Sequence, residues 1–353
     1  MNGLLTEREW RKQAQRRRRT NAAWCGAQCV LEGTSKLHLL RRDRSFQLFL
    51  LMSTLAAAVV LPVLVPQTAG ESFVEQPSIA QETAFIPRTV SEITYALPSL
   101  EYHTHTFSRM QLVRGRMLLL DAGHPLPSDV PPPNTFSIAA YASGMVPVGA
   151  LSIQSGRETI AALQELFAAL RRMDADGLMV SAGTTSTAQQ RQLRRSTMAE
   201  LMHTHPPAQA RQQVFSRLDA PDTGEMLQEY AVEIRLRSAP EQALESCPQG
   251  QTLLQMAWRH GFIRTDPERR PHRFRYVGRA HATAMTYLDL NLEEYLLWLH
   301  QKSVIAIRSG ENLRYLILCQ PMTGTHLSMA LPADATCELS LDNMGYAIAA
   351  CTW

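Results

Sequence analysis

Metal-binding patterns are thin in this sequence. Six cysteines are spread over 353 residues. The spacing Cys25-x-x-x-Cys29 has no partner ligands, which excludes a zinc site built on that pair alone. Cys247, Cys319, Cys337 and Cys351 admit three pairings, or buried free thiols, and the sequence does not choose among them. Histidine is equally scattered. His103-Thr104-His105 and His203-Thr204-His205 would each share a face on a strand. Nothing nearby completes four ligands at a plausible spacing, so both read as surface pairs. Charged residues make up 19% of the chain against 45% hydrophobic, ordinary proportions for a protein with a core. The length leaves room for one large or two modest domains.

The charge is unevenly placed. Residues 1–45 carry 11 Lys and Arg against 4 Asp and Glu, a net +7, while the remainder carries 24 against 28, a net −4. Residues 46–65 then hold no formal charge. At 1.5 Å per residue that run is about 30 Å long, enough for one bilayer crossing. Arg41, Arg42 and Arg44 precede it, so the expected topology is a cytoplasmic N-terminus, a single-pass anchor and an extracellular body. A cleaved signal peptide is the alternative; its apolar region usually runs 7–15 residues, shorter than this one, although Thr68-Ala69-Gly70 would make a poor cleavage site. Beside such a span, Arg16 to Arg19 read as an orientation signal rather than a nucleic-acid contact.

Residues 66–87 are rich in Gln, Ser, Glu, Thr and Pro and read as a flexible spacer, the first part of a linker and entry segment extending to residue 107. Residues 107–120 alternate around Arg114-Gly115, which predicts a hairpin. Ile160, Leu163, Leu166, Phe167 and Leu170 recur at helical spacing within 158–173. A buried strand follows at 178–181, then a polar helical region over 188–216 and a helix over 253–262. Beyond residue 300 the chain reads as a separate β module, with strands at 304–307, 315–319, 327–331 and 346–350 between turn residues.

One stretch organises the rest: Arg270-Pro271-His272-Arg273-Phe274-Arg275-Tyr276-Val277-Gly278, with Leu292-Glu293-Glu294-Tyr295-Leu296 after it. It resembles the signature Glu-Pro-Trp-His-(Phe/Tyr/Leu)-Arg-Tyr-Val-Gly of the VanY-type zinc D-alanyl-D-alanine carboxypeptidases. Four further segments are similar to that family's motifs in the same order. Leu120-Asp121-Ala122-Gly123-His124-Pro125-Leu126-Pro127 resembles the entry to its core. Ser181-Ala182-Gly183-Thr184-Thr185 through Gln189 resembles Ser-Gly-Tyr-Arg-Ser-x-x-x-Gln. Pro221 through Ile234 resembles Pro-Gly-x-Ser-Glu-His-Gln-x-Gly-x-Ala-Val-Asp-Ile, in a register fixed by Pro221, Glu225, Ala231, Val232 and Ile234. His260-Gly261-Phe262-Ile263 resembles Tyr-Gly-Phe-Ile, and only 264–269 remain where the family has a longer loop. The likeness spans residues 108–300.

The resemblance implies an α+β fold, a small antiparallel sheet with surrounding helices, here with a transmembrane helix before it and the β module of 301–353 after it. It also implies a zinc site acting on peptidoglycan stem peptides, with three protein ligands, a water and a carboxylate base. At the five matched positions this sequence has Thr184 for the carboxylate-binding Arg, Met226 and Arg273 for the two ligand histidines, Glu233 for the ligand Asp and Arg270 for the base. Methionine suits copper(I) rather than such a zinc site. Two guanidiniums would repel a dication by several kcal/mol even at an effective dielectric of about 20. His272 would face away from the site if Arg273 occupies the ligand position. Glu229 stands where the motif has Gly, so the backbone turn there would differ.

The expectation is therefore a pseudoenzyme without zinc, in which Arg273 pairs with Glu233 in place of the metal. Its partners would be peptidoglycan stem peptides or another envelope protein. Two alternatives stand beside it: an active D,D-carboxypeptidase or endopeptidase with a rebuilt site, and a structural ectodomain whose β tail does the binding.

Overall fold

Hydrophobic alternation and helical spacing lay out the elements, in a computed structural model that describes residues 92–353 apart from Pro221. The basic tail, the apolar run of 46–65, the spacer of 66–87, Cys25 and Cys29 lie outside the described residues. Strands β1 (Glu92–Thr94) and β2 (Tyr102–Ser108) come first, then β3 (Thr135–Ser137), β4 (Gln154–Gly156), helix α1 (Arg157–Arg172) and β5 (Leu178–Ala182). Helices α2 (Thr187–Met202) and α3 (Pro207–Arg217) lead to β6 (Ala231–Leu236), α4 (Pro248–Met256), β7 (Phe262–Ile263) and β8 (Arg273–Tyr276). Helices α5 (Arg279–Leu288) and α6 (Leu292–Lys302) precede β9 (Val304–Ser309), β10 (Asn312–Pro321), β11 (His326–Pro332), β12 (Thr336–Leu341) and β13 (Tyr346–Thr352).

A four-stranded antiparallel sheet, in the order β5-β6-β8-β7, forms the middle of the molecule. Helix α1 lays Ile160, Leu163, Leu166, Phe167 and Leu170 against it, where they meet Val180, Val232, Ile234 and Phe274 in one core. The helix thus buries the stripe that its sequence spacing predicts. Gly278 ends the β8 segment at φ +81°, a backbone region that side chains with a Cβ rarely adopt. The polar helical region of 188–216 is two helices. Pro206 and Pro207 separate them, since proline closes one helix and starts the next.

The tail does not stand alone. Its five-stranded sheet has the order β1-β9-β10-β13-β12, and β11 pairs with β2. Strands from 92–108, within the segment read as linker and entry, therefore complete the sheets made by 304–352. No hairpin forms around Arg114-Gly115: residues Arg109–Leu112 make a single helical turn instead. That turn buries Leu112 and Val113 with Leu118 and Leu120 among Leu316, Leu341, Ala347 and Ala349 of the tail. β12 completes the sheet beside β13, and Cys337 and Cys351, opposite each other in that register, form a disulfide. Cys247 and Cys319 are buried free thiols. Among the described residues no helix is long and apolar enough to cross a membrane.

Candidate functional site

Strand pairing sets the site. In the β6–β8 register Glu233 lies opposite Arg273, and side chains of directly opposed residues project from the same face. Arg273 Nη2 stands 3.6 Å from Glu233 Oε1, so the ion pair expected from the sequence forms. The shorter contact is to a residue that sequence reasoning missed. Asp219, in the connection between α3 and β6, accepts from Arg273 Nη1 at 2.7 Å on Oδ2 and from Arg270 Nη2 at 3.1 Å on Oδ1. A signal for it was present: two arginines at a buried site require more than the single negative charge of Glu233.

The cluster extends on both sides. Arg235 Nη2 lies 3.1 Å from Glu233 Oε2, and Arg235 Nη1 3.0 Å from Glu241 Oε1. Arg275, 1% exposed, contacts Glu225 Oε1 at 3.1 Å and donates to Gln228 Oε1 at 3.0 Å and to the carbonyls of Arg116 and Leu118. The Thr265 hydroxyl donates to the other oxygen of Glu225. Arg235, Arg270, Arg273 and Arg275 thus face Asp219, Glu225, Glu233 and Glu241, four charges against four. Burial opposes the ionisation of Asp219, but Arg273 and Arg270 outweigh it and hold the carboxyl below the usual carboxylate range. Burial also works against the charge on Arg273, and Asp219, Glu225 and Glu233 together push its pKa up.

The other matched positions lie around this cluster without joining it. Met226 is buried in a 3-10 turn, Glu225–Leu227, and its carbonyl accepts from the Thr185 N–H at 2.7 Å. The Thr184 N–H donates to the Gln154 carbonyl at 2.8 Å, and its hydroxyl to the Gln228 carbonyl at 3.2 Å. Gln189 closes a capping box with Ser186 at the start of α2. His272 is buried apart from the cluster, its Nε2 at 2.9 Å from the Gln242 carbonyl. Of the histidine pairs, His103, His105 and His203 are exposed and His205 is half-buried.

Two clefts flank the strands. One of about 260 Å³ is lined by Asp219, Glu225, Arg270, Arg273, Thr265 and Asn291, among others. The larger, about 480 Å³, includes Thr184, Gln189, Gln154, Glu229, Tyr230 and Arg114 and is walled by Pro131, Pro132 and Pro133. Arg270 and Arg273 therefore line one cleft and Thr184 the other, while Met226 and Glu233 line neither.

A zinc ion does not fit this donor set. Both oxygens of Glu233 are within ion-pair distance of guanidiniums, and Arg270 and Arg273 place fixed positive charge where the dication would sit. Among the described residues, no three His, Cys, Asp or Glu side chains are grouped to hold a metal. The geometry places a charge-balanced ionic cluster against the smaller cleft.

Comparison with known proteins places the fold. No family model matches the sequence. Over 110 residues the chain is 29% identical to a D-alanyl-D-alanine carboxypeptidase of Enterococcus faecium, a match covering 29% of this chain and 36% of that protein. The chain thus spans about a third of the length of the curated relative it matches. VanXYg, a vancomycin-resistance D,D-dipeptidase solved with a D-Ala-D-Ala phosphinate analogue, superposes with a TM-score of 0.59 at 15% identity, covering 72% of this chain and 100% of its own. VanYB in complex with D-alanine-D-alanine is 24% identical, covering 52% of this chain and 97% of its own, with a TM-score of 0.42. The chain therefore shares its fold with VanXYg and a stretch of sequence similarity with a D-alanyl-D-alanine carboxypeptidase.

Proposed function

We propose that this chain is a non-catalytic member of the family it resembles, tethered outside the cell through residues 46–65, and that it acts by binding peptidoglycan stem peptides. The observation that carries the reading is the Asp219–Arg270–Arg273–Glu233 cluster at the positions matched to the metal site. Catalysis of the family's kind needs a water activated by a bound cation and a carboxylate to take its proton. Here the base position holds Arg270, which cannot accept a proton.

Two further observations support the setting. The Cys337–Cys351 disulfide suits an oxidising compartment, in keeping with a body outside the cytoplasm. The +7 charge of residues 1–45 before the uncharged run favours a cytoplasmic N-terminus. The named relatives act on or were solved with D-alanyl-D-alanine compounds, which supports stem peptides as the ligand class.

The test offers the full-length protein a stem pentapeptide ending in D-alanyl-D-alanine. The expected outcome is saturable binding with no release of D-alanine above a protein-free control. Release of D-alanine that a chelator abolishes would establish a rebuilt, active site instead. Absence of peptide binding, with retention of an envelope protein on the same material, would move the partner from peptide to protein.

A further inference from the structure

Strand β2 has one neighbour. It pairs with β11 from Tyr102↔Pro332 to Ser108↔His326, and among the described residues no other strand lies beside it. The register runs its whole length without a bulge. Two flanking bonds show which way each backbone group points. The Arg109 N–H donates to the Thr325 carbonyl at 2.8 Å, and the Ala333 N–H to the Glu101 carbonyl at 3.0 Å. Hydrogen-bonded pairs recur at every second residue of an antiparallel ladder, so the odd-numbered positions of β2 face β11. Tyr102, Thr104 and Thr106 therefore direct their N–H and C=O groups away from the ribbon. The Ser108 N–H, next in that row, is taken by Gln111 Oε1 at 2.8 Å.

Open edges are ordinarily blunted by charge, proline or a bulge. β2 has none of these. Its sequence, Tyr102-His103-Thr104-His105-Thr106-Phe107-Ser108, contains no Lys, Arg, Asp, Glu, Pro or Gly, and His103 through Thr106 are exposed. Threonine and aromatic residues instead favour an extended strand. Apolar side chains stand open beyond both ends, Leu97 at 56% exposure and Met110 at 57%.

The occupant of such an edge is an extended chain that brings a matching row of backbone groups. A second copy of β2 meets that need. The three outward residues are symmetric about Thr104, so an antiparallel copy related by a two-fold axis there exchanges bonds between Thr104 and Thr104 and between Tyr102 and Thr106. Without formal charge on the strand, the two copies meet with no like-charge repulsion. The same arrangement sets the Met110 end of one strand at the Leu97 end of the other, where apolar surface is open in a single copy.

We infer that the chain pairs with a second copy of itself, edge to edge through β2, with Thr104 on the two-fold axis. The two ribbons then become one sheet in the order β11-β2-β2-β11. No residue of β2 lines either cleft, so the pairing leaves both open and does not depend on the peptide reading.

The test measures the mass of the full-length protein in detergent micelles by sedimentation equilibrium across a range of concentrations, beside Thr104→Pro and Thr104→Lys. Position 104 gives β11 no backbone bond and its side chain is exposed, so both variants should keep the unfolding midpoint of the monomer. The unaltered chain should reach the mass of two copies. Thr104→Pro should weaken association about thirty-fold, the worth of the two backbone hydrogen bonds lost at the axis. Thr104→Lys, which sets two ammonium groups against each other there, should also shift the protein to monomer. An unaltered chain that stays monomeric at every concentration overturns the inference. A dimer that both variants leave intact overturns the assignment to β2 and moves the contact elsewhere in the chain. Should Thr104→Pro fail to fold, Thr104→Lys decides: a folded monomer upholds the pairing and a folded dimer overturns it.

Discussion

Asp219 holds two buried arginines at once, so its removal is felt twice. Asp219→Ala would remove the carboxylate that Arg270 and Arg273 share and should lower the free energy of unfolding by about 3–5 kcal/mol, the usual cost of breaking a buried pair from one side. Urea denaturation of the variant measures it. The pH dependence has a definite sign. Because the folded-state pKa of Asp219 is depressed, its contribution is fully present above the unfolded value of about 3.9 and is lost as pH falls through the folded value. The unaltered protein should therefore lose stability steeply below about pH 4, and Asp219→Asn should start lower and show a shallower acid limb. Glu233 and Arg273 were legible in the sequence because strand pairing ties them together. Asp219 and Glu229 were not. Asp219 lies two residues outside the matched motif, and Glu229 stands at a motif glycine, where the sequence raised only a question about the backbone.

At the scale of elements, period and packing decided what could be foreseen. The stripe of α1 and the short strands around Val180, Val232 and Phe274 follow from alternation and spacing, and they form the central core. β12 escaped the sequence reading although Cys337, Leu339 and Leu341 alternate in it, because Thr336, Glu338 and Ser340 make the segment look like a polar loop. The turn at Arg109–Leu112 looked like part of a hairpin, since its apolar residues suit either period until a partner surface is known. The cysteine pairing also needed the fold, which sets Cys337 opposite Cys351 with Cα atoms 4.0 Å apart. That link closes a chain separation of 14 residues. Replacing both cysteines with serine should cost about 3 kcal/mol by the loop-entropy relation, read as a lower unfolding midpoint under non-reducing conditions.

The whole molecule is less divisible than its motif order suggests. Residues 301–353 read as a module of their own, yet β1 and β2 enter its sheets from upstream and the Leu112–Leu120 region fills its core. Asp342 adds a polar tie. Fully buried, it lies 2.6 Å from His300 Nε2 of α6 and accepts the N–H groups of Met344 and Tyr346. A chain ending at residue 302 should therefore lose cooperative unfolding by calorimetry rather than yield an intact catalytic-type core. Its exposed Leu112, Val113, Leu118 and Leu120 should bind a hydrophobic dye. A truncation that unfolds cooperatively near the full-length midpoint would show the tail to be a separate unit.

The central claim is that an ionic cluster has replaced the metal of the family's site, and elemental analysis tests it most directly. The full-length protein is purified without chelator, equilibrated with zinc and desalted, and its metal is counted against protein concentration. Zinc far below one atom per chain is expected, with an unfolding midpoint unmoved by chelator. One zinc retained per folded chain, with a midpoint that falls when chelator removes it, would contradict it.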